Sequence, residues 1–142
     1  MANTAALQEA IDWARGDLER QYGVPFAKST VRLHTGGTRS FNAVASDGTV
    51  VATVLNSSGA TSGGKKPVGK LRYAIAELYY LSLVQSRHRL LVVTNADFLE
   101  YLSNEVAGAL IDGIELVHLP LPPLLAGRVA EVTTAASEEM GR

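Results

Sequence analysis

The sequence predicts a mixed α/β domain in which helices pack on one sheet. Three observations support this fold class. The dipeptide Asp47-Gly48 separates two β-rich runs, residues 41–45 and 49–55, and is typical of a hairpin turn. From about residue 65, the apolar period changes from that of a strand to that of a helix. Residues 90–94 form a short, continuous apolar run, which favours a central strand covered on both faces.

Helical spacing and punctuating residues define the predicted helices. Apolar residues recur at helical spacing over residues 4–22, and Gly23 with Pro25 ends that pattern. A long second helix begins near Gly69 and extends to about residue 85, with an interior that lacks Gly and Pro. Asn95 is typical of an N-cap, and a third helix follows it. The apolar positions of this third helix are Leu99, Leu102, Val106 and Leu110.

Turn residues also bound the remaining strands. Residues 30–34 predict a first strand that Gly36-Gly37 terminates. Residues 114–119 predict a last strand that ends at the run PLPP, because proline removes ladder donors. The resulting order is an αβββαβ core with an added C-terminal helix and strand, forming one mixed sheet.

Length and composition indicate a single domain. The chain has 142 residues, of which 46% are apolar and 19% are charged, so it is expected to bury one core. We expect one domain over residues 1–142, with its core at about 4–119 and a loose or weakly helical tail at 133–142. The chain contains no cysteine, which excludes disulfides and thiolate chemistry.

Charge and hydropathy limit the classes of partner that we expect for this chain. The N-terminus lacks a basic region followed by an apolar core, and no apolar run reaches the roughly 20 residues of a membrane span. We therefore expect a cytoplasmic protein with no membrane association. The formal net charge of −1 gives no general attraction to nucleic acid. Nucleic acid is a possible partner only through a local basic cluster, and its binding is expected to be weak.

The hairpin and the order of elements resemble the core of the PD-(D/E)XK nuclease superfamily, which has the restriction endonuclease-like fold. The resemblance covers roughly residues 4–119. Members of that family place an Asp at the start of the second core strand and an acid-x-Lys triplet on the third. Aligned on the hairpin, the Asp position falls on Asn42 and the triplet falls on Thr53-Val54-Leu55.

The resemblance implies a site that has lost its catalytic groups. Carboxylates at the first two positions would hold Mg²⁺, whereas Asn42 offers a neutral carbonyl and Thr53 a hydroxyl. Leu55 replaces the Lys that would steady the phosphate charge. We call these residues the vestigial site. The resemblance therefore favours a catalytically inactive, nuclease-like domain that serves as a binding or interaction module, without a metal or another cofactor.

Two alternatives remain open. The chain could be an active metal-dependent nuclease whose catalytic residues have migrated, with Glu77 and Asp47 as candidate acids and Lys65, Lys66 or Lys70 as the candidate lysine. Only this alternative requires Mg²⁺. Glu77 lies one residue from an apolar helical stripe, yet a solvated flank is favoured because Glu is rarely buried. The second alternative is a structural or oligomeric protein without a ligand.

A Gly-rich segment carries the candidate phosphate-binding residues. Lys65, Lys66 and Lys70 stand with three glycines directly before the predicted second helix. Helix N-termini attract phosphates, and glycines let backbone N–H groups approach them. The spacing differs from that of a P-loop, so nucleoside triphosphate binding is not indicated. A mobile, solvated connection is the competing interpretation of this segment.

Three tyrosines and three histidines are the remaining candidates for a contact surface or a metal site. The tyrosines at 73, 79 and 80 lie partly off the core stripe of the second helix and suggest either an edge seal or a contact with a second copy or another protein. The histidines at 34, 88 and 118 lie on different elements and in no metal-binding spacing. We expect His34 and His118, which lie within predicted strands, to be ordinary hydrogen-bonded side chains.

Overall fold

The fold comes from a computed structural model that describes residues 4–59 and 64–140, with side chains described as far as residue 133. Residues 60–63 of the Gly-rich segment lie outside the described residues. The elements in chain order are α1 (Ala5–Tyr22), β1 (Phe26–Arg32), β2 (Thr38–Ala45), β3 (Val50–Leu55), α2 (Val68–Ser82), β4 (His88–Val93), α3 (Ala96–Glu105), β5 (Ile114–His118) and α4 (Pro123–Met140).

One mixed sheet organises the domain, as the sequence predicts. The strands follow the order β1-β2-β3-β4-β5, with β1, β2 and β3 antiparallel and β3, β4 and β5 parallel. Every residue of β3 is buried, because this central strand is paired on both edges and covered on both faces. The predicted α/β mixed-sheet class is confirmed.

The predicted hairpin turns at Asp47-Gly48. Gly48 has a φ of 75°, which side chains rarely permit, and its N–H donates to the carbonyl of Ala45 at 2.9 Å. The Asp47 carboxylate accepts hydrogen bonds from the hydroxyl and the backbone N–H of Thr49. These bonds stabilise the ionised form and hold the pKa of Asp47 below its usual 3.8.

Helices cover both faces of the sheet and create two cores. On one face, α2 and α3 pack over a cluster that includes Phe41, Val51 and Leu91. On the other face, α1 packs over a cluster that includes Leu18 and Ala52. Strand alternation sends odd-numbered β3 residues to the α2/α3 face and even-numbered ones to the α1 face.

The first strand and the two inner helices differ from the predicted boundaries. Strand β1 is Phe26–Arg32 rather than residues 30–34, because Phe26 anchors it in the α1-face core while residues 33–37 form the turn before β2. His34 therefore lies in a turn and not in a strand. Helix α2 ends at Ser82 instead of residue 85, and α3 ends at Glu105, before the left-handed Gly108.

Helix α4 was not predicted. Its Val129 packs against Ala6 and Ala10 of α1, and Arg128 forms an ion pair with Glu9, so the core extends beyond residue 119. The backbone of the predicted tail is helical as far as Met140, and residues 141 and 142 lie outside the described residues. Among the described helices, none is long and apolar enough to cross a membrane.

Candidate functional site

The Asn42 side chain forms hydrogen bonds to the backbone of the neighbouring strand β3. The register between β1 and β2 shifts beside this residue, which indicates a β-bulge in the ladder. The Asn42 Oδ1 accepts a hydrogen bond from the Val54 N–H at 2.8 Å, and Nδ2 donates to the Val54 carbonyl at 3.0 Å. The Asn42 main-chain oxygen accepts a hydrogen bond from Arg15 Nε at 2.7 Å. The amide is thus engaged on both sides by the backbone of β3 and serves the fold.

The other two vestigial positions are closed to solvent. Thr53 and Leu55 are both buried, and their odd numbers place them on the α2/α3 face. Leu55 belongs to the apolar core of that face. The Thr53 hydroxyl has no hydrogen-bond partner among the described residues. Neither position offers an accessible ligand for a cation.

Glu77 is buried, which corrects the prediction of a solvated flank. Only 4% of the residue is exposed, and its Oε2 lies 2.7 Å from Nη2 of Arg39 on β2. This contact brings opposite charges together without the alignment of a hydrogen bond to Oε2. The Arg39 guanidinium stacks 4.1 Å from the ring centroid of Tyr80 and 5.3 Å from that of Phe41. The neighbouring cation is what allows the carboxylate to be buried.

The two candidate acids, Glu77 and Asp47, both have other partners in the structure. The vestigial site contributes no carboxylate, and the candidate acid Glu77 is paired with Arg39 instead of a loop lysine. Among the described residues, no group of three or more His, Asp or Glu side chains could hold a metal ion. Asp47 lies at the hairpin turn and is bonded to Thr49.

The candidate phosphate-binding lysines have different surroundings. Lys66 forms an ion pair with Glu105 at the end of α3. Lys70, in the first turn of α2, is half-buried and donates to the carbonyl of Ser58 at 3.3 Å. Lys65 is exposed on the segment before α2. Lys66 and Lys70 therefore point to different parts of the molecule.

A cavity of about 270 Å³ opens beyond the carboxyl end of β3, and we call it the β3-edge pocket. Ligands of α/β sheets commonly bind at this end of parallel strands, and β3 and β4 run parallel here. The walls are mainly apolar, whereas the polar contribution comes from the segment after β3, from α2 and from Thr133 of α4. The lining side chains include Leu7, Ile11, Leu55, Asn56, Ser57 and Lys70.

Lys70 contributes a basic side chain to the lining of this pocket. Burial lowers the pKa of Lys70 from its ordinary 10.5, because the charged form loses hydration. The pocket also borders the N-terminal turn of α2, where the helix dipole is positive. Among the described residues, apart from its chain neighbours and the backbone of α2 itself, nothing lies within 4 Å of the position that a Cβ would take at Gly69. An anion at this edge would meet both the ammonium and the helix terminus.

Acidic side chains border the opposite side of the same segment. A second cavity of about 380 Å³ adjoins Ser58 and Gly59 and is lined by Asp97 and Glu100 of α3. Its carboxylates repel a polyanion. This cavity is therefore less suited to an anion than the β3-edge pocket.

Sequence reasoning missed the partner of Glu77 and the bulge at Asn42. Residues 41–45 were the predicted strand, whereas β2 begins at Thr38 and so includes Arg39, two residues before Phe41 and on the same face. Nothing local indicates that this face meets Glu77 across 38 residues of chain. The three histidines are dispersed, and the ring of His88 packs against that of Tyr22 at 5.4 Å.

No protein-family model, curated protein or solved structure matches the chain. The resemblance to PD-(D/E)XK nucleases therefore stays a prediction. Support for the candidate site comes from the contacts of its own residues.

Proposed function

We propose that this domain binds a phosphate-bearing ligand at the β3-edge pocket and does not hydrolyse it. The observation that carries the proposal is the half-buried ammonium of Lys70, which lines the pocket beside Asn56 and Ser57. Burial lowers the pKa of Lys70 because the charged form loses hydration, and a bound phosphate would favour that charged form. Asn56 and Ser57 supply further hydrogen-bonding groups for phosphate oxygens.

The dimensions of the pocket favour one phosphate together with the group attached to it. Its volume of about 270 Å³ lies below the roughly 300–1,000 Å³ of pockets for drug-sized ligands. The apolar wall of Leu7, Ile11 and Leu55 suits the less polar part of such a ligand. Nucleic acid would bind through a strand end or one exposed nucleotide, and the net charge of −1 keeps that affinity modest.

The absence of hydrolysis follows from the surroundings of the vestigial site. Hydrolysis of a phosphodiester by the nuclease mechanism needs carboxylates that hold a divalent cation beside the attacked phosphorus. Asn42 is neutral and bonded to Val54, while Thr53 is buried and neutral. Glu77 has its charge balanced by Arg39. These contacts support a nuclease-like scaffold in which the site residues have structural roles.

The test is a fluorescence anisotropy titration with labelled single-stranded and double-stranded oligonucleotides at low salt. The triple variant Lys65→Ala, Lys66→Ala, Lys70→Ala should lose binding. Of the single variants, Lys70→Ala should lower the log–log salt slope by about 0.7 to 0.9, the value of one phosphate contact. Lys66→Ala is the matched control and should change binding less, because Glu105 already neutralises Lys66.

The proposal is contradicted if the parent protein binds neither the oligonucleotides nor a labelled mononucleotide at low salt. The same samples are then incubated with Mg²⁺ or Mn²⁺ and run on a denaturing gel. We expect intact oligonucleotide. Cleavage that disappears in Glu77→Ala would instead establish the active nuclease with a migrated acid.

A further inference from the structure

Asn56 and Thr94 lie side by side at the carboxyl end of the sheet. Asn56 directly follows β3, and Thr94 directly follows β4. These strands are parallel neighbours with Leu55 beside Val93, so the residues that follow them also lie beside each other. The Thr94 N–H donates to the Leu55 carbonyl at 3.1 Å. Thr94 is buried, whereas Asn56 lines the β3-edge pocket, so the pair connects the interior to the pocket wall.

A hydrogen bond from Thr94 determines how the Asn56 amide is turned. The Thr94 hydroxyl donates to the Asn56 Oδ1 at 2.8 Å. In the reverse orientation the amide nitrogen would face Thr94, and the hydroxyl would have to donate to the Leu55 carbonyl, 3.4 Å away. That distance exceeds the roughly 2.5–3.0 Å of an O–H···O bond, and the carbonyl already accepts the Thr94 N–H. The contacts therefore favour the orientation in which Oδ1 faces Thr94.

This orientation leaves the Asn56 Nδ2 group for a ligand. Among the described residues, Nδ2 donates to no other group. An amide nitrogen carries N–H donors and no acceptor, and the ammonium of Lys70 in the same pocket also carries donors only. The Ser57 hydroxyl, which lines the pocket as well, can rotate to donate. The polar groups of the pocket therefore present donors.

We infer, on the basis of the proposed function, that Thr94 positions the Asn56 amide so that the β3-edge pocket selects hydrogen-bond acceptors such as phosphate oxygens. Asn56 is the specificity-determining residue, and Thr94 is a positioning residue. An ionised phosphate group presents strong acceptor oxygens, which match these donors. A head group that presents N–H groups meets donors instead and is disfavoured.

The Thr94 hydroxyl matters because the terminal torsion of an asparagine is broad and permits both orientations of the amide. Without the hydroxyl, Oδ1 loses its partner, and the amide turns this oxygen toward the pocket, where it repels a phosphate oxygen. To bind phosphate the amide must turn back, which leaves Oδ1 unpaired against an apolar side chain. Loss of the hydroxyl therefore weakens binding, although Thr94 does not itself line the pocket.

A double-mutant cycle tests this role by anisotropy titration with a fluorescently labelled nucleoside monophosphate at low salt. Asn56→Ala should weaken binding about tenfold, the factor of one hydrogen bond to a charged group. Thr94→Val removes the hydroxyl and should also weaken binding about tenfold, the factor of one unpaired acceptor. The double variant should bind as Asn56→Ala does, because Thr94 acts only through Asn56. Thr94→Ser keeps the hydroxyl and should retain nearly the affinity of the parent.

A matched control and an NMR measurement separate positioning from a purely structural role. Asn104→Ala should leave the affinity unchanged, since Asn104 lines the second cavity and not this pocket. The Asn56 side-chain N–H signals should shift when the mononucleotide binds to the parent or to Thr94→Ser. They should shift less in Thr94→Val, because its amide is no longer held with the donors toward the ligand.

Two results would contradict this role, and they differ in what they reject. In the first, the parent binds the mononucleotide, but Asn56→Ala binds equally tightly or the two losses multiply in the double variant. This result overturns the roles of Asn56 and Thr94 and leaves the proposed function standing. In the second, the parent binds no mononucleotide, which rejects the proposed function and the specificity together.

Discussion

The vestigial site adjoins the β3-edge pocket at Leu55. The polar and charged groups around the two regions differ in their partners. Asn42 is bonded to the β3 backbone within the sheet, and Glu77 of α2 is paired with Arg39 of β2. In the pocket, Lys70 keeps an ammonium whose pKa burial lowers. Under the proposed function, this difference separates metal-dependent catalysis from anion attraction on one scaffold. The first requires carboxylates at fixed sheet positions, and the second needs only a cation near an open edge.

Within the vestigial site, Asn42 and Thr53 also differ in their hydrogen bonding. The Asn42 amide uses both its donor and its acceptor, whereas the Thr53 hydroxyl has no partner among the described residues. A satisfied polar group stabilises the fold, and an unsatisfied one lowers its stability. Substitutions at these positions should therefore differ in sign as well as in size.

The largest expected effect is that of Glu77→Ala. It leaves Arg39 without its counter-ion and should destabilise the protein by about 3 kcal/mol, the low end for a broken buried pair, because part of Arg39 reaches solvent. Urea unfolding measures the change. The double variant Arg39→Met, Glu77→Leu is the control and should recover most of the loss. A Glu77→Ala protein as stable as its parent would show that the pair contributes nothing.

Asn42→Ala should have the next largest effect. It removes two hydrogen bonds to Val54 and leaves the N–H and carbonyl of that buried residue unpaired, which costs about 2 kcal/mol. Asn42→Asp is the informative companion. It restores a carboxylate at the position predicted from the nuclease family but cannot donate to the Val54 carbonyl. We expect a similar loss of stability and no binding of Mn²⁺ by isothermal titration; tight Mn²⁺ binding would mean that the site geometry persists.

Thr53→Val should have the smallest effect and the opposite sign. It replaces a buried hydroxyl that has no partner among the described residues with a methyl group of similar shape. Removing this desolvated polar group should stabilise the protein by about 1 kcal/mol. A rise in the urea midpoint at constant slope would confirm the direction. Destabilisation would show that the hydroxyl has a partner, such as an ordered water molecule.

Local patterns predicted most of the fold because local chemistry determines those features. The turn at Asp47-Gly48 depends on the left-handed Gly48, and the start of α3 depends on the Asn95 side chain, which accepts from the Phe98 N–H at 2.9 Å. Both signals lie within a few residues. Helix α4 was missed because its prolines were taken only as terminators, although Pro123 stands at the first position of a helix, where its missing N–H has no cost.

The candidate site was less accessible to sequence reasoning. The buried state of Glu77 depends on Arg39, and the role of Asn42 depends on a bulge that no residue pattern marks. The divergence of Lys66 and Lys70 likewise depends on where α3 ends, at Glu105. Each is a consequence of tertiary contact. The residue types at these positions were identified, but their partners were not.

The most direct test of the central claim is the pKa of Lys70, measured by NMR of its side-chain nitrogen with and without a saturating mononucleotide. Burial disfavours the ammonium, so the pKa in the free protein should lie below 10.5. A bound phosphate favours the ammonium and should raise the pKa, and by linkage affinity should fall as pH rises through that range. The Lys70→Met variant assigns the signal. A Lys70 pKa that the ligand leaves unchanged, while the ligand binds elsewhere or not at all, would contradict the account.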